Sequence, residues 1–281
     1  MSISVLTNVA SLNAQRNLAA TQTALAASVG RLSSGMRINT AADDAAGLGI
    51  SENLQANIRS LAQAQRNAND GISLTQVAEG SMNDMQGIVT RMRELAVQSA
   101  NGTLGATERG YIQSEFTQLS KEVDRISKVT NFNGQQLIDG TAAKGLTFQI
   151  GINKSVNDEI TVSVATLTTS TLGSTGGSKI TQANLSTATS AKNAIGTFDA
   201  AIQQLSKSRA VLGAVQNRMT VTVSNLAVAH ENLSAANSRI RDVDVANESA
   251  QLTKSQILSQ AGLAVLAQAN QLPQSALSLL R

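Results

Sequence analysis

Cysteine, tryptophan and proline are nearly missing from this sequence of 281 residues, which has no Cys, no Trp and one Pro. Without cysteine, the chain can form neither a disulfide framework nor a thiolate metal site. Aromatic residues make up only 2% of the sequence, although they supply much of the bulk of most compact cores. The scarcity of proline and the abundance of Ala, Leu, Gln, Ser and Asn favour long helices. We therefore expect a mainly α protein with elongated packing rather than a compact globule.

Charge is also sparse, and its distribution is informative. The net charge of +3 comes from 22 basic and 19 acidic residues, a balance too even to indicate nucleic-acid binding, and few aromatics are present to stack on bases. No acidic residue precedes Asp43 and none follows Glu248. These acid-free ends indicate burial against another surface. The sequence has no run of about 18 apolar residues, so we expect no membrane span, and residues 1–20 lack the pattern of a usual secretory signal.

A heptad repeat runs without interruption through the last third of the chain. An apolar residue occupies every seventh position, namely Phe198, Leu205, Leu212, Met219, Leu226, Leu233 and Ile240. The intervening seam positions are Ile202, Arg209, Gln216, Val223, His230 and Asn237. This spacing predicts a long helix over 198–240 that packs lengthwise on other helices. Its expected partners are an antiparallel helix near 54–100 and a shorter helix over 107–129.

The same reading applied to the middle of the chain predicts helices followed by a hairpin. A second long helix is expected from about Asp43 to Ala100, with Asn39-Thr40 as its cap. Thr107 is a candidate cap for the third helix. Asn133-Gly134 is typical of a tight turn, and alternating apolar residues within about 146–165 predict a β-hairpin.

Two further segments complete this outline. Residues 166–190 are mostly Ser, Thr and Gly, which predicts a flexible or exposed connection. The last segment carries an apolar stripe with helical spacing, formed by Leu258, Ala261, Val265 and Leu272. Because both acid-free ends are apolar and helical in pattern, we expect the two termini to lie together and pack on each other.

Candidate chemical sites are few. His230 is the single histidine, so neither a histidine metal site nor a Ser–His–Asp triad is indicated. Asp242 and Asp244 resemble part of a calcium loop but lack its glycine, which favours a solvated helix face. Asp43 and Asp44 are adjacent, point apart on a helix, and better suit a helix N-terminus. We therefore predict no catalytic residue, no cofactor and no metal.

Several long motifs resemble the terminal signatures of bacterial flagellins. Near the N-terminus these motifs are Ser11–Arg16 (SLNAQR), Leu32–Leu48 (LSSGMRINTAADDAAGL) and Arg66–Ser73 (RNANDGIS). Near the C-terminus they are Ser238–Asp244 (SRIRDVD) and Ala267–Gln274 (AQANQLPQ). The resemblance covers about 1–140 and 190–281, with the motifs in the family's order.

The resemblance implies a domain plan and a function. Residues 1–42 and 241–281 would be terminal helices that form the inner tube of a filament. Residues 43–165 and 191–240 would form a helical rod with the hairpin at about 146–165, and 166–190 would replace the outer domains of longer flagellins. The implied function is a structural, non-enzymatic subunit of the extracellular flagellar filament used for swimming. The alternatives are the hook–filament junction protein of the same assembly and a helical adhesin.

The resemblance also implies partners and contact residues. Expected partners are other copies of the chain, the flagellar type III export apparatus, an export chaperone on the C-terminal segment, and the filament cap and hook-junction proteins. The assembly residues would include Leu32, Leu258, Val265 and Leu272. In many flagellins, Toll-like receptor 5 of animal hosts binds a segment that matches Arg91, Glu94, Leu95 and Glu115. Thr90 departs from the glutamine usual there, and the plainer interpretation is a helix face with internal salt bridges.

Overall fold

The computed structural model describes residues 7–174 and 178–278, with side chains described as far as residue 271. Its main helices are α1 (Val9–Ser34), α2 (Ala45–Ser99), α3 (Ala106–Val129), α4 (Ala188–Arg241) and α5 (Val245–Ser278). Its strands are β1 (Asn131–Phe132), β2 (Gln135–Gln136), β3 (Leu146–Gln149) and β4 (Glu159–Val162). The predicted mainly α class with long helices and a small hairpin is confirmed. Within the described residues, no helix is long and apolar enough to cross a membrane.

The chain divides into two compact units. Unit 1 consists of Met1–Ile58 and Asn232–Arg281, and unit 2 consists of Arg59–Glu231. One boundary falls inside α2 and the other inside α4, so each of these helices contributes residues to both units. The family resemblance implied boundaries before α2, at 42/43, and at the last residue of α4, at 240/241.

In unit 1, α1 and α5 pack on each other in antiparallel fashion. Asn8 Nδ2 donates to the carbonyl oxygen of Ala269 (2.8 Å), and Ser11 Oγ donates to Asn270 Oδ1 (2.8 Å). The buried and half-buried positions recur at alternating intervals of three and four along both helices. On α1 they are Ser11, Ala14, Leu18, Thr21, Leu25, Ser28 and Leu32, with Arg31 half-buried beside them; on α5 they are Glu248, Leu252, Ser255, Ser259, Gly262, Leu266 and Ala269. The prediction that the two ends lie together is confirmed.

A non-helical segment connects α1 to α2. Asp43 accepts hydrogen bonds within the last turn of this segment, and Asp44 accepts one at the start of α2. Gly35 ends α1 in the left-handed conformation (φ 70°). Asp43 Oδ2 accepts hydrogen bonds from the backbone N–H and the hydroxyl of Thr40 (2.9 and 3.0 Å), and these bonds lower the pKa of Asp43. The N-cap of α2 is Asp44, whose Oδ1 accepts from the N–H of Gly47 (2.8 Å). The predicted cap at Asn39-Thr40 is therefore wrong, because Thr40 is held in the turn that precedes the helix.

In unit 2, one hydrophobic core joins α2, α3, α4 and the hairpin. Two hydrogen bonds show that α2 and α4 run antiparallel. Arg93 Nε donates to Asp199 Oδ1 (2.6 Å), and the later residue Arg209 of α4 donates from Nη1 to Oε1 of the earlier residue Gln86 of α2 (2.9 Å). α3 joins through an aromatic contact, in which the rings of Phe116 and Phe198 have centroids 5.7 Å apart.

The heptad positions of α4 differ between the two units. Phe198, Leu205, Leu212, Met219 and Leu226 are buried in unit 2, whereas Leu233 and Ile240 are half-buried in unit 1. Gly71 of α2 allows Met219 to approach closely, since a Cβ at this glycine would lie 2.6 Å from Met219 Cε. A side chain at this point of α2 would therefore require the thioether end of Met219 to shift.

The two hairpins have the residue types that their turns require. Asn133 and Gly134 join β1 to β2 with φ angles of 51° and 80°, as expected for a type I′ turn. β3 and β4 pair in the register Leu146↔Val162 to Gln149↔Glu159. Ile160 and Val162 are buried in the core of unit 2. The hairpin predicted from the period-two pattern is confirmed.

The segment 166–190 is packed more closely than its Ser-, Thr- and Gly-rich composition suggests. Its four large apolar residues are fully buried, namely Leu167, Leu172, Ile180 and Leu185. Thr169 donates from its N–H and its hydroxyl to Asp124 Oδ1 (3.0 and 2.8 Å), which fixes this segment to α3. The expectation of an exposed connection is wrong for these residues. Apolar residues spaced singly among Ser and Thr carry little periodic signal, although each one anchors the segment.

Replacement of Leu212 by Ala is expected to destabilise the protein by about 2–5 kcal/mol, since it opens a cavity in the core. Leu212 is 2% exposed. The matched control is Val211→Ala on the same turn, where the side chain is 48% exposed and the expected change is within about 0.5 kcal/mol. Urea unfolding followed by circular dichroism measures both values. Equal losses for the two variants would contradict the proposed orientation of α4.

Candidate interaction surfaces

The outward faces of α1 and α5 expose large apolar side chains. On α1 these are Val9, Leu12 and Val29, which are 59%, 57% and 51% exposed. On α5, apart from Val245 at its first position, they are Ile257, Leu258, Leu263 and Val265, which are 60%, 49%, 53% and 59% exposed. Concentrated exposure of this kind marks an interaction site more often than it marks ordinary surface. We call these seven side chains the outer apolar set.

This exposure follows from the way in which α1 and α5 pack. The seam between them uses many small or polar residues, such as Ser28, Ser255 and Gly262. Gly262 lies against Leu18, because a Cβ at this glycine would be 3.3 Å from Leu18 Cδ1. Small residues in the seam bring the helices together but cover little apolar surface. The larger aliphatic residues of each helix therefore remain on the outside.

Two shallow grooves lie along the α1–α5 pair. The larger has a volume of about 460 Å³ and is lined by Ala10, Ala264, Val265, Gln268 and Ala269. The smaller, of about 230 Å³, includes Leu18, Leu258, Ala261 and Gly262 in its lining. Both linings are largely aliphatic and carry no ionised side chain. Grooves of this character suit the insertion of apolar side chains from another helix.

The four residues predicted for assembly differ in their accessibility. Leu258 and Val265 belong to the outer apolar set and are 49% and 59% exposed. Leu32 is half-buried in the seam of α1. The side chain of Leu272 lies outside the described residues.

Acidic residues are nearly absent from the terminal helices α1 and α5. Glu248, near the start of α5, pairs with Arg31 near the end of α1, with Nη1 and Oε1 3.6 Å apart. No other acidic residue occurs in α1 or α5. Burial of these faces would therefore require little desolvation of carboxylates, which is the costly part of covering a charged surface.

A second surface, on α2 and α3 of unit 2, unites three of the residues predicted for receptor recognition. Arg91 Nε donates to Glu115 Oε1 (3.0 Å), and Arg91 Nη1 donates to Glu94 Oε2 (3.0 Å). The side chains of Arg91, Glu94 and Glu115 are 49%, 62% and 46% exposed. The hydrogen bonds that Arg91 donates to the carboxylates of Glu94 and Glu115 raise the pKa of Arg91. The guanidinium is thus held in one orientation at the surface.

Leu95, the fourth predicted receptor residue, does not lie on this surface. Its side chain is only 1% exposed and belongs to the core of unit 2, so the direct contact expected from the sequence is not available in this structure. Tyr111, by contrast, was not indicated by the sequence motif. It is 73% exposed and precedes Glu115 by four residues on α3, so the two side chains share a face of the helix.

The remaining polar candidates have local structural roles. Asp244 caps α5, because its Oδ1 accepts from the N–H groups of Ala246 (2.9 Å) and Asn247 (3.2 Å). His230 is half-buried on α4. Among the residues that the structure describes, no group of three or more His, Asp or Glu side chains is arranged to hold a metal ion.

Comparisons with known proteins agree with the paired terminal helices and the long central helices. Residues 5–143 match the bacterial flagellin N-terminal helical region, and residues 195–280 match the bacterial flagellin C-terminal helical region. Together these regions include α1, α2, α3, the β1–β2 hairpin, all but the first turns of α4, and α5.

Individual relatives match over nearly their whole length. The chain is 45% identical to the flagellar filament 33 kDa core protein of Treponema phagedenis over 283 residues, covering 98% of each chain. It is also 45% identical to a flagellin of Bacillus subtilis over 301 residues, again covering 98% of each chain. The crystal structure of Bacillus cereus flagellin is similar at 32% identity, with a TM-score of 0.49, over 57% of this chain and 88% of that one. On the matched terminal regions and the near full-length relatives, the chain belongs to the bacterial flagellin family.

Proposed function

We propose that this flagellin is a structural subunit of the extracellular flagellar filament and that it polymerises through the outer apolar set of α1 and α5. The observation that carries the proposal is the exposure of seven large aliphatic side chains on one helix pair, each 49–60% exposed. Residues 1–42 and 241–281 would then form the inner tube, and residues 43–165 and 191–240 would form the body of the subunit outside it. The segment 166–190 would take the place of the outer domains.

The energetics of burial support assembly through this surface. Burial of a fully exposed aliphatic side chain of this size contributes about 1.5–3 kcal/mol. The seven side chains are 49–60% exposed, so each contributes about half of that value, and together they offset part of the entropy lost on association. Because these faces carry no acidic side chain, their burial requires little desolvation of carboxylates. The two grooves lie on the same helix pair and have largely aliphatic linings, so they can accept the exposed side chains of another copy.

The chemistry of the surface also favours an open polymer over a closed dimer. The apolar residues of α1 differ in number and spacing from those of α5. A contact that joins the face of one helix to a groove on another copy, without the reciprocal contact, is heterologous, and its repetition generates a helical array. Such an array covers every subunit's outer apolar set except at its ends.

The same apolar faces need protection before assembly. We include in the proposal that an export chaperone covers the C-terminal segment, that the chain leaves the cell through the flagellar export apparatus, and that the filament cap and hook-junction proteins bind the ends of the polymer. The support for the chaperone is the continuous exposure of Ile257, Leu258 and Val265 on α5, which an apolar groove of another protein can cover.

Recognition of the free subunit by Toll-like receptor 5 is the second part of the proposal. Its support is the exposed Arg91–Glu94–Glu115 group, in which the guanidinium is held by two carboxylates. Arginine and tyrosine are enriched among residues that dominate binding energy, and Tyr111 is exposed on the same face of α3 as Glu115. Leu95 would act indirectly, by keeping Arg91 in place from within the core.

The double variant Leu258→Ser with Val265→Ser is expected to impair polymerisation. Loss of two half-exposed aliphatic groups that the polymer would cover should weaken each subunit contact by about 1.5–3 kcal/mol. The critical concentration for assembly should therefore rise at least tenfold. Sedimentation of polymer across a series of subunit concentrations measures this value.

The matched control is the double variant Val129→Ser with Val156→Ser, which alters exposed valines of unit 2 (53% and 86% exposed). It should assemble at the critical concentration of the unaltered protein. The same critical concentration for both double variants would contradict assembly through the outer apolar set.

Replacement of Arg91 by Ala is expected to weaken receptor signalling by the soluble subunit. Truncation of a residue that dominates an interface costs more than about 1.4 kcal/mol, which corresponds to at least a tenfold higher half-maximal concentration. Reporter cells that express Toll-like receptor 5 provide the measurement.

Lys179→Ala, an exposed change outside this surface, is the control and should leave signalling unchanged. Leu95→Ala should reduce signalling only in proportion to its loss of stability, which thermal melting measures in parallel. Full signalling by the Arg91→Ala variant would remove the receptor part of the proposal.

A further inference from the structure

Asparagine precedes glycine at two positions of the chain, Asn101-Gly102 and Asn133-Gly134. Steps of this kind are prone to deamidation, because no side chain shields the backbone nitrogen of a glycine. All four residues are exposed. Asn101-Gly102 lies in the connection between α2 and α3, whereas Asn133-Gly134 joins β1 to β2. The two sites share their residue types and differ in the structure around them, so one serves as the control for the other.

The backbone at Asn133 is fixed by strand pairing. Asn133 and Gly134 both have positive φ angles and form the turn between two antiparallel strands. Directly after the second strand, the N–H of Leu137 donates to the carbonyl oxygen of Thr130 (3.1 Å), and the side chain of Leu137 is fully buried. Deamidation requires the backbone to rotate until the glycine nitrogen reaches the side chain. At Asn133 this rotation requires the hairpin to open.

The backbone at Asn101 is held less tightly. Residues 100–105 pair with no strand. The N–H of Thr103 donates to Asn101 Oδ1 (3.4 Å), and the N–H of Leu104 donates to the carbonyl oxygen of Asn101 (3.5 Å). Both distances exceed about 3.2 Å, the usual limit for such bonds. Among the described residues, the N–H of Gly102 has no hydrogen-bond partner. The nitrogen that must attack the side chain is therefore available.

A guanidinium polarises the main-chain carbonyl of Asn101. Arg109 Nη2 donates to this oxygen (2.8 Å), while Arg109 Nε donates to the carbonyl oxygen of Ser99 (2.9 Å). The carbonyl of Asn101 and the N–H of Gly102 belong to one peptide group. A cation at the oxygen therefore stabilises the negative charge that develops when the nitrogen loses its proton.

We propose that Asn101 is a site of spontaneous deamidation and that Arg109 directs the reaction towards the isoaspartyl product. The deprotonated nitrogen of Gly102 attacks Cγ of Asn101, a C–N bond forms, and the side-chain nitrogen takes up a proton and leaves as ammonia. Water then adds to one of the two carbonyl carbons of the resulting succinimide ring. The ring C–N bond at that carbon breaks, the nitrogen regains a proton, and the carbon becomes a carboxylate.

The position of Arg109 selects between the two products. Attack by water at the former main-chain carbonyl gives isoaspartate, in which the chain continues through the side chain. This is the carbonyl that Arg109 contacts at 2.8 Å, and polarisation makes its carbon the better electrophile. The carboxylate of isoaspartate then forms at the same place, where its bond with Arg109 becomes charge-assisted. The side-chain carbonyl of Asn101 accepts only the long bond from Thr103, and attack there gives aspartate.

The rate is tested by incubating the soluble, full-length protein at mildly alkaline pH. Trypsin places the two sites in separate peptides, 94–109 and 129–144, and fragment mass spectra locate the deamidated residue in each. In the folded protein, Asn101 should deamidate at least about tenfold faster than Asn133, because only Asn133 must first open a paired structure. In urea, where the chain is unfolded, the two sites should react at similar rates.

Two results of this experiment would overturn the assignment. One is a rate at Asn133 equal to or greater than that at Asn101 in the folded protein. The other is a preference for Asn101 that persists unchanged in urea, since the local sequence rather than the structure would then set it. Neither result depends on whether the chain polymerises.

The role of Arg109 is tested by the ratio of the two products, which liquid chromatography of the peptides separates. The isoaspartyl share at Asn101 should be higher in the folded protein than in urea. Arg109→Gln removes the cation and should return the share to its value in urea, with circular dichroism as the check on folding. The control is Arg125→Gln, which removes an exposed cation paired with Glu122 on the same helix and should leave the share unchanged.

An equal isoaspartyl share in the folded and unfolded states of the unaltered protein would overturn the directing role of Arg109, and this comparison needs no variant. A folded Arg109→Gln protein with the share of the unaltered protein would overturn it as well.

Discussion

The structure depends on an alternating spacing of three and four residues between packed positions along its long helices. In unit 2 this spacing directs Phe198, Leu205, Leu212 and Met219 of α4 into a core shared with α2, α3 and the hairpin. In unit 1 the same spacing organises α1 and α5, but many of the packed positions hold Ser, Thr, Gly or Ala. One geometric rule therefore has two results. Large residues in the seam give unit 2 a core of its own, whereas small residues in the seam leave the aliphatic groups of unit 1 exposed.

This contrast connects the sequence to the function of a polymer subunit. A protein that must remain soluble alone normally places its largest apolar side chains inside. Here Ile257, Leu258 and Val265 face solvent on a helix whose inner side holds Ser255 and Gly262. The arrangement is unfavourable for an isolated chain but is resolved when identical copies cover one another. The surface group Arg91–Glu94–Glu115 on α2 and α3 follows a different rule, since Arg91 is held by two carboxylates rather than by apolar contact.

Much of the fold could be predicted from the sequence, and the errors have physical causes. Heptad spacing predicted α4, and the near absence of proline agreed with uninterrupted helices as long as α2 (Ala45–Ser99). Asn133-Gly134 predicted its turn because few other residue pairs adopt two positive φ angles readily. Asp43 and Asp44 were correctly predicted at a helix N-terminus, but the cap itself was assigned to Asn39 and Thr40, which are equally good caps by residue type. Only the turn closed by Asp43 distinguishes them, and that turn is visible only in three dimensions.

The candidate surfaces were less predictable than the fold. Motif resemblance grouped Leu95 with Arg91 and Glu94, but adjacent residues on a helix face different directions, and Leu95 lies in the core. Tyr111 escaped notice because a single exposed tyrosine has no periodic signal. Composition likewise concealed the anchoring of 166–190, where four isolated aliphatic residues are buried. Periodicity detects repeated features, and single contacts such as Thr169 with Asp124 leave no trace in it.

The central claim is that α1 and α5 carry the contacts that hold copies of this chain together. A cryo-electron microscopy reconstruction of the polymer, at a resolution that shows side chains, tests it directly. The account predicts that Val9, Leu12, Ile257, Leu258 and Val265, exposed in the subunit, are buried against neighbouring copies in the polymer. A reconstruction in which these side chains remain in solvent, with the copies joined through other surfaces, would contradict it.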